Sequence, residues 1–121
     1  MKNIDDLQHW LDSLIASEKY VVVEGSKDKS ALMKIGIPRE RIATINKPVY
    51  AVAESLSTKT KDVIILTDLD PEGKKLYRSL KTNLANQGIK VDNKFREFLF
   101  KSTKLSHIEG IHTYFKNHVF D

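Results

Sequence analysis

The chain contains no cysteine, which removes disulfides and thiolate metal sites and fits a cytoplasmic protein. It has no apolar stretch near the roughly 20 residues that a membrane helix needs, so no membrane association is expected. The opening Met1-Lys2-Asn3-Ile4-Asp5-Asp6 does not read as a signal peptide. There is no internal repeat, no low-complexity tract and no linker rich in glycine, serine or proline. A single domain over residues 1–121 is therefore expected. Charge of one sign is also scarce: the net charge of +4 tolerates a polyanionic partner without demanding one.

What is present is the composition of a soluble globular domain, 40% hydrophobic and 30% charged, with enough residues for a real core. Ile4, Leu7, Leu11 and Leu14 fall on one helical face, widened by Trp10 and Ile15, which predicts a helix over about 4–16. Tyr20–Glu24 reads as a strand. Ser26 is suited to cap a helix from Lys27 to about Ile35, stopped by Gly36. Ile42–Ile45 suggests a short strand, and Pro48 suits the first position of a helix through about Leu56. Asp62–Thr67 is a further strand. The clearest helix carries Leu76, Leu80 and Leu84 at i, i+4, i+8 and ends at Gly88. A fourth strand is expected around Phe95–Phe100, and a closing helix over about 108–119 through Ile108, Ile111, Tyr114 and Phe115. Alternating helices and strands imply an α/β fold whose sheet is mostly parallel and covered on both faces.

Two of the apolar runs end in acid. Val21-Val22-Val23 runs into Glu24-Gly25, and Val63-Ile64-Ile65-Leu66-Thr67 runs into Asp68-Leu69-Asp70-Pro71-Glu72-Gly73. In an open α/β sheet, ligands bind in the crevice beyond the carboxyl ends of the strands. If these strands are neighbours, Glu24, Asp68 and Asp70 converge, and their repulsion calls for a cation. Oxygen ligands favour Mg²⁺ or Mn²⁺ over zinc. Asp68 and Asp70, two apart on an extended segment, point the same way while Leu69 turns inward. Capping is a competing account. Asp70-Pro71 makes a good N-cap and N1 pair, Glu72 suits the positive end of a helix, and Asp28 fits a first helical turn. Capping leaves Asp68 unexplained, because it ends a buried strand with no helix terminus of its own.

The pair VVVEG (Val21–Gly25) and VIILTDLDPEG (Val63–Gly73) resembles the Toprim domain of topoisomerases, bacterial primases, recombination-repair proteins and small nucleases. The likeness spans roughly Tyr20 to Phe100. With EGSKDKSAL (Glu24–Leu32) and SHIEGI (Ser106–Ile111), the chain looks most similar to small stand-alone Toprim proteins and to the Toprim half of the 5S ribosomal RNA maturation nuclease. The resemblance implies a Rossmann-like, four-stranded, mainly parallel sheet flanked by helices. It implies Glu24 as general acid/base or metal ligand, and Asp68 and Asp70 as ligands of one or two Mg²⁺, for which Mn²⁺ can substitute. Asp28 and Glu72 are additional candidates. The chemistry it implies is nuclease-like phosphoryl transfer on RNA or DNA. The tyrosine-bearing domain of topoisomerases, the zinc-binding segment of primases and the substrate-recognition region of the RNA nuclease have no counterpart in these residues.

Lys27, Lys74, Lys75 and Arg78 are candidate phosphate contacts beside the acidic loop, and Lys94, Arg96, Lys101 and Lys104 flank the expected last strand. All could equally form solvated faces. Tyr77 could stack on a base but is placed like a core-edge residue. His107, His112 and His118 are spaced by 5 and 6, off any single helical face, which argues against a histidine metal site. Two functional classes follow: a metal-dependent enzyme acting on nucleic-acid phosphodiesters, or a non-catalytic module binding nucleic acid or a protein partner. A phospho-acceptor receiver domain is disfavoured. It needs an acidic pair after the first strand and a Lys-Pro after the last, whereas Lys47-Pro48 follows the second.

Overall fold

The computed structural model describes residues 4–120; Met1–Asn3, Asp121 and the side chains of Ile4 and Asp5 lie outside the described residues, and with them the expected part of Ile4 in the apolar face. Helix α1 (Ile4–Ser17) leads into β1 (Tyr20–Val23), α2 (Ser26–Lys34), a 3-10 turn (Arg39–Arg41) and β2 (Ile42–Thr44). Then come α3 (Val49–Ser57), β3 (Asp62–Ile65), α4 (Pro71–Asn86), β4 (Lys90–Asp92) and α5 (Lys94–Ser102). A second 3-10 turn (Ile108–Gly110) precedes α6 (Ile111–His118).

The four strands form one parallel sheet in the order β2-β1-β3-β4, a Rossmann-like arrangement. Val21 pairs with Ile42 on one side and Ile64 on the other, so β1 and β3 are neighbours at the sheet's centre. Strand alternation sends side chains to two cores. Val21, Val23, Ile64 and Leu66 face a cluster with Leu11, Leu14, Leu32, Leu99 and Phe115 from α1, α2, α5 and α6. Val22, Val63 and Ile65 face Val52, Leu56, Leu80 and Leu84 from α3 and α4. Burial on both faces explains why β1 and β3 are unbroken apolar runs. Among the described residues, no helix is long and apolar enough to cross a membrane.

Several expectations need correction. Phe95–Phe100 is not the fourth strand: it lies in helix α5, and the strand is Lys90–Asp92. Phe95 and Leu99 are one helical turn apart and, with Phe98 and Phe100, meet one core, a period that fits a helix. The real β4 is a three-residue edge strand with Lys90 exposed and Val91 and Asp92 only partly buried, too short to produce an apolar run. Trp10 Nε1 fixes α5 against α1 by donating to the Phe95 carbonyl at 2.9 Å. Ser26 is the first residue of α2 rather than its cap, and Pro48 is the cap of α3 rather than its first residue. The closing helix is broken at Gly110 into a 3-10 turn and α6. Gly88, at φ +77°, supplies the left-handed residue that lets the chain leave α4 for β4.

Candidate metal centre

The adjacency of β1 and β3 brings their carboxyl ends together. Leu66 N donates to the Val22 carbonyl at 2.8 Å, extending the ladder past β3 and placing Asp68 beside Glu24. The contact is direct: Asp68 N donates to Glu24 Oε2 at 2.7 Å. Asp68 Oδ1 in turn accepts from Ile108 N at 2.7 Å, and Leu69 N donates to the Ser106 carbonyl at 2.8 Å. The segment at 106–108 is thereby docked on the acidic loop, and Asp68 acquires a helix terminus after all, that of the Ile108–Gly110 turn. Asp70 caps α4, its Oδ1 accepting from Gly73 N at 2.8 Å, as its position before Pro71 indicated. Leu69 turns inward against the α1/α2/α5/α6 core.

Asp68, Asp70 and His107 each offer a ligand atom within 4.8 Å of the others. His107 Nε2 lies 3.4 Å from Asp70 Oδ2, and its Nδ1 is 3.0 Å from Ser106 Oγ. These three side chains can hold a metal ion. Two carboxylates suit a hard divalent cation, and an imidazole adds the affinity that Mn²⁺ has over Mg²⁺ for nitrogen. Each acid has one oxygen fixed by a backbone N–H, so its orientation is set before any ligand arrives. Among the described residues, Glu24 Oε1 and Asp68 Oδ2 have no hydrogen-bond partner.

The field at this rim is negative. Burial raises the Glu24 pKa, assisted by the charges of Asp68, Asp70 and Asp28 and opposed by the Asp68 N–H. Asp28 is buried at 8% exposure, and its Oδ2 accepts from Gly25 N at 3.0 Å, making the cap of α2. Its pKa is also raised, first by burial and then by Asp68 and Glu109 against the Gly25 N–H.

Two further residues shape the loop. A Cβ on Gly73 would collide with the Asp68 backbone, so the first turn of α4 closes on this loop only with glycine. Buried Thr67 ties the same turn down, its hydroxyl donating to the Gly73 carbonyl at 2.8 Å. Arg96, on α5 rather than beside a strand, donates to the Thr67 and Asp68 carbonyls at 3.0 and 2.7 Å. Its guanidinium sits 4.8 Å from the Tyr77 ring centroid and 5.4 Å from that of Phe100, and burial lowers its pKa. Arg96 holds the acidic loop, and Tyr77 is its platform.

The structure therefore brings Glu24, Asp68, Asp70 and Asp28 to one rim. Glu72, Lys27, Lys74, Lys75 and Arg78 are exposed and make no ion pair with those acids. His107, set aside on its spacing from the other histidines, and Arg96 are the residues that sequence reasoning missed. Their partners in the acidic loop lie more than 25 positions away in the chain, beyond the reach of local periodicity.

The fold and rim define a class: an α/β protein with a parallel sheet and a carboxylate-rich, histidine-bearing site at the carboxyl ends of its central strands. No protein-family model matches the chain. It belongs to the UPF0292 family, being 33% identical over 108 residues to the UPF0292 protein of Methanocaldococcus jannaschii, across 87% of this chain and 84% of that protein. The UPF0292 protein of Pyrococcus horikoshii is 34% identical over 111 residues, covering 92% and 83%. A solved structure of a protein from Aquifex aeolicus superposes with a TM-score of 0.79 at 35% identity, over 87% of this chain and 97% of that one.

Proposed function

We propose that the chain is a stand-alone Toprim-type domain that binds Mg²⁺ or Mn²⁺ and acts on nucleic-acid phosphodiesters by nuclease-like phosphoryl transfer. The observation that supports this most is the Glu24–Asp68 contact, which joins the two motif halves across 44 residues of sequence. A divalent ion held by Asp68, Asp70 and His107, or shared with Glu24, would stabilise charge on the phosphoryl oxygens. Glu24 takes the part of the proton carrier. Its Oε2 is taken up by the Asp68 N–H, and Oε1 is the oxygen left for proton exchange. Asp68 and Asp70, each fixed through one oxygen, orient the site, and Arg96 and Gly73 hold the loop that carries them. The absence of cysteine supports a cytoplasmic setting.

The test is incubation with labelled single- and double-stranded RNA and DNA in Mg²⁺ or Mn²⁺. Cleavage by the wild type that disappears in Glu24→Gln, Asp68→Asn and Asp70→Asn supports the reading, and cleavage that persists in all three contradicts it. A second reading is a non-catalytic module that binds nucleic acid or a protein partner. It is favoured by the fact that every acid at the rim already serves a structural hydrogen bond. It gives salt-sensitive binding without turnover.

A further inference from the structure

A further concavity lies away from the acidic rim. A groove of about 620 Å³ follows the outer side of β2, the strand that ends the sheet, and is lined by Lys29, Arg39, Lys47 and Lys59 among its charged residues, with Glu40 the single acid. The four cations come from α2, the Arg39–Arg41 turn, the loop after β2 and the loop after α3. Among the described residues none of them pairs with a carboxylate, Glu40 included. Four unpaired cations converging on one groove repel one another, and an anionic ligand removes that cost. The remaining lining pairs an apolar floor of Ile42, Ala43, Val52 and Leu56 with the hydrogen-bonding groups of Thr44, Asn46 and Ser55. Register fixes where the groove leads. Thr44 lies opposite Val23, and Ile45 N donates to the Val23 carbonyl at 3.1 Å, so the groove's upper end is one residue short of Glu24.

We propose that this β2-edge groove is the binding track for a single-stranded nucleic acid, whose phosphates lie against Lys29, Arg39, Lys47 and Lys59 and whose backbone passes on to the Glu24–Asp68 rim. The inference rests on the phosphodiester reading above for the choice of a polynucleotide over another polyanion. A single strand is favoured because the volume is that of a pocket for a small ligand, and a rigid duplex cannot bend into a groove walled by α3 on one side and the 39–41 turn on the other. The track differs from the one expected on the α4 face: Lys74, Lys75 and Arg78 project from a helix and line no part of this groove.

Fluorescence anisotropy with a labelled single strand of about 12 nucleotides, in EDTA so that no metal contributes, tests the proposal. If three to four phosphates are neutralised, the logarithm of affinity falls against log salt with a slope of about −2 to −3. Lys29→Ala/Lys59→Ala weakens binding about tenfold at low salt and flattens the slope by about 1.4, two contacts' worth. Lys74→Ala/Lys75→Ala/Arg78→Ala leaves both values near wild type. In the wild type, the oligonucleotide protects Lys29 and Lys59 from acetylation read by mass spectrometry, a result that needs no variant to fold.

Loss of affinity in the α4 variant with none in the groove variant overturns the proposal. So does equal competition by polyglutamate, which makes the groove a site for an acidic protein. Unchanged oligonucleotide binding with self-association of the groove variant also overturns it, because the lysines then merely guard an open strand edge. Metal-dependent cleavage with unaltered affinity in the groove variant retires the track and leaves the reading of the acidic rim standing. Intact groove binding with no cleavage retires the catalytic reading alone.

Discussion

The acidic rim and the basic β2 edge are both polar and lie within a few residues of each other in register, yet they are built in opposite ways. At the rim each carboxylate is fixed by a backbone N–H, for Glu24 and Asp68 from a distant segment and for Asp70 from its own helix start, and that loop is held in turn by Arg96, Thr67 and Gly73. At the edge the cations hang from four separate elements without partners. Fixed groups define positions to within a fraction of an ångström, as a metal or a reacting phosphate requires. Free cations supply field and adapt to a flexible polyanion. The difference predicts that substitutions at the rim act through geometry and cost stability, whereas those at the edge act through salt-dependent affinity alone.

The sharpest way to break the contrast is Gly73→Ala. Its Cβ meets the Asp68 backbone rather than a flexible side chain, so the loop must shift, and a loss of at least about 3 kcal/mol is expected in denaturant unfolding. A midpoint equal to wild type would show that the rim is not rigid. Arg96→Ala comes next. It removes two charge-assisted hydrogen bonds to carbonyls and stacking on Tyr77, with an expected loss of about 2–3 kcal/mol. Arg96→Lys recovers little of that, because an ammonium cannot span both carbonyls in one plane. Full recovery in thermal unfolding would reduce Arg96 to a simple charge.

His107→Gln is smaller in stability and specific in ligand. Mn²⁺ affinity is expected to fall about tenfold and Mg²⁺ affinity to change less, because nitrogen donors matter more to Mn²⁺. Equal losses for both ions, followed by calorimetry, would show that His107 acts through position and not as a ligand. The smallest effect is with pH. Glu24 and Asp28 have raised pKa values when folded, so the folded metal-free protein holds more protons than the unfolded chain between their ordinary and raised values. The stability they contribute is full below the ordinary values and is lost as pH rises through the raised ones. Metal-free unfolding midpoints should therefore decline modestly with rising pH across that window, and Glu24→Gln should flatten the decline. A midpoint that climbs there would mean the acids are stabilised as anions.

Much of this was legible in the sequence because it is written locally. The unbroken runs at Val21–Val23 and Val63–Leu66 announce strands buried on both faces, and Leu80 and Leu84 mark the helix between β3 and β4. Glu24 and Asp68 were legible as partners only through strand adjacency, which the parallel topology provides. Phe95–Phe100 misled because a short aromatic-rich run resembles a strand although its spacing at i, i+3 and i+4 is helical, and the actual β4 is an exposed edge with little apolar character. His107 and Arg96 were illegible as site residues. Each reaches the loop by a tertiary hydrogen bond or ion pair, His107 across 37 positions to Asp70 and Arg96 across 28 to Asp68. The β2 groove was equally hidden, since its four cations are scattered over 31 positions and meet only in space.

A calorimetric titration of Mn²⁺ and Mg²⁺ into the wild type and into Asp68→Asn/Asp70→Asn addresses the central claim, because the amides keep the shape and acceptor oxygens of the pinned side chains while removing their charge. Saturable binding to the wild type that vanishes in the double variant, with both proteins folded, is the expected result. Identical titrations for the two proteins, or no saturable heat from either ion, would contradict it.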